Sequence, residues 1–267
     1  MQMSYENQEY QTHGKKYFMS SSGIHTAMIL AAGFGSRMGD LTKRLPKPLL
    51  PLGDWTVIDI ILMQLKRAGF SRIVINLHYR AEQIKKHLRE RRIDDLELIF
   101  SEEMEILGTG GGIARAEPFF PDSDVLVLNS DILSDLSLTQ FINFHQTKQS
   151  FASMAVWPSD NFKDYALVKF NRNFRLAGFC KRGIRDNSPY ASGIYTGHQI
   201  LSTSARKYLR EKPSSVIETL YRPAMDDNRP IHIFIHDGFY IDLGTKNQYL
   251  DLCEKINNGI IDPKSFF

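Results

Sequence analysis

The stretch "TAMILAAGFGSRMGDLTKRLPKPLLPLG", residues 26–53, opens on an unbroken apolar run and closes on a turn-rich, basic segment. A run such as "MILA" does not alternate with polar residues, so it reads as a central strand buried on both faces, as in a parallel sheet. In such a sheet ligands sit beyond the carboxyl ends of the strands, and this strand ends in "AAGFGSRMG". Gly33 and Gly35 let the backbone turn close to an anion, where several N–H groups can point inward together. Phosphate is the natural occupant. Arg37, just past Gly35, offers a planar fork to phosphoryl oxygens. Lys47 lies between Pro46 and Pro48, which stiffen the chain around it, whereas Lys43 and Arg44 read as surface charges. Two common phosphate loops do not fit. The third glycine of a dinucleotide fingerprint would fall at Met38, which disfavours a nicotinamide dehydrogenase, and no Gly-Lys-Ser/Thr of a Walker loop follows.

Working outward, strand-like and helical runs alternate. "VIDIILMQLKRAG" reads as an amphipathic helix closed by Gly69, "RIVINLHY" as a strand, "AEQIKKHLRERR" as a helix, and "LELIFS" and "DVLVLNSD" as strands. This rhythm predicts an α/β protein with a Rossmann-like, mixed but mainly parallel central sheet and helices on both faces. After residue 150 the pattern changes. "SFASMAV", "YALVKF", "RLAGFC", "YASGIYTG" and "IHIFIH" are strand-like, interrupted by helical "STSARKYLREK" and "SSVIETLYRPAM" and closed by helical "KNQYLDLCEKINNG". No Pro/Gly/Ser-rich linker or internal repeat appears, so residues 24–267 are expected to form a single domain. The first half, about 24–150, is expected to open a ligand pocket and the second, about 151–262, to supply its walls. Residues 1–23 are polar, lack the apolar centre of a signal peptide, and are read as a flexible tail.

Composition excludes several classes. Lys plus Arg number 33 against 30 for Asp plus Glu, so a net charge of +3 gives no footprint for a nucleic-acid polymer. The apolar runs are too short to cross a bilayer, which needs about 20 residues. The two cysteines, Cys180 and Cys253, have no metal or redox spacing and fit a reducing, cytoplasmic setting. His25, His78, His87, His145, His198, His232 and His236 show no zinc or catalytic spacing, and no Gly-x-Ser-x-Gly elbow occurs.

Three further motifs carry chemistry. "LGTGGG", residues 107–112, presents backbone with few side chains, an entropically costly way to make a plain loop. "VLVLNSD" ends a buried strand at Asp131, and "FYIDLGT" ends a late one at Asp242. Facing one cleft, the two would make the hard-oxygen pair that Mg²⁺ prefers. Spacing alone does not join them, and each taken singly also suits a cap or turn.

"LAAGFGSRM" followed by "PKPLLPLG" resembles the signature of the sugar-1-phosphate nucleotidyltransferases, and "SEEMEILGTGGGI", "VLNSD", "ASGIY" and "YIDLGT" follow in family order. The likeness is strongest to the short bacterial branch with N-acetylmuramate 1-phosphate uridylyltransferase and the heptose and mannose 1-phosphate guanylyltransferases. The resemblance implies a nucleotidyltransferase fold of the GT-A-like kind. It implies Mg²⁺-dependent transfer of a nucleotidyl group from an NTP, UTP or GTP, to a sugar 1-phosphate, as in supply of activated sugars for the cell envelope. Arg37 and Lys47 would then be catalytic. Ala31, Ala32, Gly33, Gly35, Ser36, Glu103, Gly108, Thr109 and Gly110 would bind nucleotide; Gly112, Lys181, Ser192 and Gly193 the sugar phosphate; Asp131 and Asp242 the metal. Ser130 and Cys180 depart from the family pattern, which has glycine before the aspartate and an acidic residue before the lysine. A homo-oligomer is compatible with this reading. Two alternatives stand beside it: a non-catalytic nucleotide-sugar-binding regulatory paralogue, and a cytidylyltransferase for a non-sugar phosphate.

Overall fold

In the computed structural model, described for residues 23–185 and 187–267, a nine-stranded sheet runs through the molecule. The expected tail falls outside the described residues except for Gly23. The sheet strands are β1 (Thr26–Leu30), β2 (Arg72–Leu77), β3 (Glu97–Glu102), β4 (Val125–Asn129) and β5 (Ala152–Pro158), then β6 (Leu167–Phe170), β7 (Leu176–Cys180), β8 (Ala191–Leu201) and β9 (Ile231–Ile235). The first four pair in parallel in the order β4-β1-β2-β3. Met28 packs on one face of the sheet while Ala27 and Ile29 pack on the other, which is why "MILA" shows no polar alternation.

Helices cover both faces. α1 (Val57–Arg67), α2 (Ala81–Glu90), α4 (Leu138–Thr147) and α5 (Lys246–Asn257) pack through Ile61, Ile84, Phe141 and Leu252 on the Ile29 side. On the Met28 side lie α3 (Gly108–Ala116) and the helical turns after residue 202, through Ile113, Ala205 and Leu220, with the turn Glu117–Phe119 beside them through Phe119. α1 starts at a capping box: Thr56 and Asp59 cap each other, Thr56 N donating to Asp59 Oδ2 at 2.9 Å.

The second half continues the sheet through β8, which pairs antiparallel with β6 through Ala191–Ile194 and with β4 through His198–Leu201. β5 runs along its other edge, and β9 pairs in parallel with β5. The expected mixed, mainly parallel architecture is therefore the one adopted, in a single domain.

Two local readings change. "LGTGGG" forms the first turns of α3 rather than a loop before it. "STSARKYLREK" is helical only over Thr203–Arg206, because the chain must then extend so that Ser214 N can donate to Leu107 O and Ser214 O accept from Gly110 N, both at 2.9 Å.

Candidate active site

The strands of the parallel half deliver their carboxyl ends to one cleft of about 310 Å³, lined by Leu30, Arg37, Lys47, Asn76, Thr109 and Asp131 among others. A second cavity of about 490 Å³ opens beside it under β6, β7 and β8. The two share Arg37, Asn129 and Asp131.

The glycine loop is held from behind. Gly35 adopts φ +64°, a conformation that costs a side chain energy, and a Cβ there would press on Thr42 at 3.0 Å. Thr42 Oγ1 donates to Gly35 O at 3.0 Å, and Tyr79 Oη donates to Thr42 O at 2.8 Å. At the loop's start, Ala31 N donates to Asn76 Oδ1 at 2.7 Å. Asn76 Nδ2 donates in turn to Glu103 Oε1 at 2.6 Å, and Leu107 N donates to Glu103 Oε2 at 2.9 Å. Glu103, only 5% exposed, thus ties β1, β2 and the approach to α3 together. Arg37 is exposed on the short turn Ser36–Met38 and, among the described residues, makes no hydrogen bond or ion pair. Among the described residues its guanidinium gives up no hydrogen bond when an anion arrives, although its charge is felt by Asp242.

Lys47 is buried on the turn Lys47–Leu49, and its Nζ donates to Asp131 Oδ2 at 2.7 Å. A short antiparallel ribbon of Ile132–Ser134 with Tyr240–Asp242 sets Asp242 opposite Ile132, and Leu243 N donates to Asp131 O at 2.8 Å. That ribbon brings both aspartates to the second cavity. Burial raises the Asp242 carboxyl above the usual carboxylate range, and the charge of Asp131 adds to the effect. The Gly244 amide, donating to Oδ1 at 2.6 Å, opposes it, as do the charges of Lys47 and Arg37. Two hard-oxygen groups held in mutual repulsion are a donor set that suits a divalent cation. No cluster of three or more His, Cys, Asp or Glu side chains occurs among the described residues, so water or substrate oxygens would complete such a sphere.

The structure gathers Ala31, Ala32, Gly33, Gly35, Ser36, Arg37, Lys47, Gly108, Thr109 and Asp131 around the first cavity, and Arg37, Asp131, Lys181 and Asp242 around the second. Glu103, Gly110, Gly112, Ser192 and Gly193 line neither. A Cβ on Gly110 would meet Ser214 Oγ at 2.8 Å, and one on Gly112 would meet Glu103 Oε1 at 2.7 Å, so both permit close packing of α3. Ser192 Oγ donates to Ser159 O at 3.0 Å, and Gly193 lies against Val156 and Trp157 of β5. Ser130, which replaces the family's glycine, is buried at the wall of the first cavity. Sequence reasoning missed Asn76, Asn129, Tyr165, Glu218 and Arg222; only Glu218 and Arg222 carried a signal, their i,i+4 spacing.

This geometry has counterparts. The nucleotidyl transferase family profile matches residues 26–259. The chain belongs to that family. The chain is 31% identical over 234 residues to the mannose-1-phosphate guanylyltransferase catalytic subunit beta of Drosophila pseudoobscura pseudoobscura, covering 84% of the chain and 60% of the fly protein. It is 30% identical over 251 residues to a mannose-1-phosphate guanyltransferase of Aspergillus fumigatus, covering 90% of the chain and 68% of the fungal protein. The chain therefore spans about three fifths to two thirds of these relatives. Among solved structures it superposes on HddC from Yersinia pseudotuberculosis with a TM-score of 0.74 and 25% identity, covering 87% of the chain and 99% of HddC. No helix among the described residues is long and apolar enough to cross a membrane.

Proposed function

We propose that this nucleotidyl transferase moves a nucleotidyl group from an NTP to a sugar 1-phosphate, forming an NDP-sugar and pyrophosphate. The supporting observation is the meeting of two cavities at Arg37 and Asp131, with Lys47 and Asp242 beside them. One cavity would take the triphosphate and base, the other the sugar phosphate. The names of the fly and fungal relatives favour GTP with mannose 1-phosphate as the first pair to test.

A phosphate monoester has its second pKa near ~6, so the attacking oxygen is already ionised at neutral pH and needs no general base. The barrier lies in bringing two polyanions into line and neutralising charge on the α-phosphate and the departing pyrophosphate. A charge contact at ~4 Å in an effective dielectric near 20 contributes roughly 4 kcal/mol before desolvation. Arg37 and the amides of the loop 33–36 would hold the β- and γ-phosphates. Lys47, fixed between two prolines, would face the α-phosphate, and Lys181 the incoming sugar phosphate. Asp131 and Asp242 would hold Mg²⁺, which when bound neutralises phosphate oxygens.

The test is pyrophosphate release from each of four NTPs against mannose, heptose, glucose and N-acetylmuramate 1-phosphates and a non-sugar alcohol phosphate, beside a thermal-shift measurement of binding of each NTP. Release that requires both one NTP and one sugar 1-phosphate supports the reading. Nucleotide binding without release under any pairing would favour a regulatory paralogue, and release only with CTP and a non-sugar phosphate would favour the cytidylyltransferase.

A further inference from the structure

The second cavity holds a polar pair that the reading above leaves without a role. Its lining carboxylates are Asp131, Asp242 and Glu218, and the first two belong to the ribbon side where the cavities join. Glu218 lies instead on the wide turn Ile217–Tyr221, whose backbone closes i to i+5 with Arg222 N donating to Ile217 O. Such turns are often found at functional sites. Arg222 Nε donates to Glu218 Oε1 at 3.0 Å, and the Arg222 guanidinium stands over the Phe179 ring at 5.6 Å, beside Cys180 and Lys181.

The turn is firmly anchored. Tyr221 is fully buried and its Oη donates to Gln199 Oε1 at 2.7 Å; Val216 N donates to Thr109 Oγ1 at 2.9 Å. A rigid backbone thus presents one acceptor and one donor fork to an open cavity walled by Tyr165, Phe179 and Tyr240. A neutral polyol has the complementary chemistry: each hydroxyl donates one proton and accepts another, and its C–H faces suit aromatic walls. A second anion does not, because Glu218 already cancels the charge of Arg222.

We infer that Glu218, oriented by Arg222, accepts a hydrogen bond from a hydroxyl of the acceptor sugar and so sets which sugar is used. The assignment rests on the transfer reading above. In the first step Glu218→Gln is assayed with the best sugar 1-phosphate. KM for that substrate should rise about 10- to 100-fold, the range for losing a charged acceptor, while KM for the NTP stays within twofold. Its melting temperature should stay within about 2 °C, since the side chain is 63% exposed.

The second step repeats the comparison with 2-, 3-, 4- and 6-deoxy analogues. One analogue should suffer a comparable loss in the wild type and much less further loss in Glu218→Gln than in the wild type, because the charge on the acceptor that its missing hydroxyl would have met is already gone, although the amide oxygen of Gln still accepts. An equal penalty for every analogue, or an unchanged KM for the parent sugar, would overturn the assignment alone. A wild-type protein inactive with every sugar 1-phosphate would overturn the transfer reading and this assignment with it.

Discussion

Lys47 Nζ lies 2.7 Å from Asp131 Oδ2, with the two side chains 9% and 24% exposed. Lys47 lines the first cavity and Asp131 lines both, so a cation and a carboxylate neutralise each other there until a phosphate offers Lys47 another partner. Removing one member leaves the other charge largely buried, which costs more than the pair contributes. Lys47→Ala is therefore expected to lose about 2 kcal/mol, a fall of roughly 4–8 °C in melting temperature. Adding Asp131→Asn should recover most of that stability without restoring any pyrophosphate release. Thermal melts of the two variants check this.

Asp242 should behave in the opposite sense. Its carboxylate is disfavoured first by burial and then by the charge of Asp131, and Asn keeps the oxygen that accepts from Gly244 N. Asp242→Asn is expected to raise the melting temperature of the ligand-free protein while lowering turnover by about 100-fold or more, a trade of stability against activity. Calorimetry beside a rate assay at low Mg²⁺ reads both; a destabilised variant would show that the carboxylate is better partnered than described.

Glu103 gives a separable effect, because it touches loop supports rather than either cavity. Glu103→Gln sets an amide donor against Asn76 Nδ2 or Leu107 N. The expected cost is about 1–3 kcal/mol, with KM for the NTP raised more than kcat is lowered. Steady-state kinetics with varied NTP measure the split.

His198 couples stability to pH. Burial pushes its pKa down to about 4, with a smaller push from nearby His236, against a partial rise from its backbone bond to Thr196. The unfolded chain, near 6.5, then binds the extra proton between about pH 6.5 and 4, so stability is present above that window and is lost as pH falls through it. The loss approaches ~3 kcal/mol at the acid end. Denaturant melts at pH 7 and pH 5 should show a steeper decline for the wild type than for His198→Gln; equal slopes would contradict it.

These residues also show what the chain alone discloses. Arg37, Lys47 and their loop are legible because glycine and proline constrain local backbone wherever they stand, and the apolar run of β1 fixes which end of the sheet the loop occupies. The place of Asp131 beside Asp242 is not local. It depends on a two-strand ribbon whose register no periodicity specifies. Glu103 is visible as an acid near "LGTGGG", yet its partners come from β1 and β2. Ser192 looks free to meet a ligand until the fold brings Ser159 O to it. Glu218 and Arg222 look like an ordinary solvated helical pair until the wide turn and Tyr221 point them at a cavity.

The most direct test falls on Arg37, which both cavities share. Pyrophosphate release by Arg37→Ala, assayed with the NTP and sugar 1-phosphate that serve the wild type best, should have kcat/KM lowered by about 100-fold or more at an unchanged melting temperature. A variant that folds normally and works within threefold of the wild-type rate would contradict a transfer reaction carried out where those cavities meet.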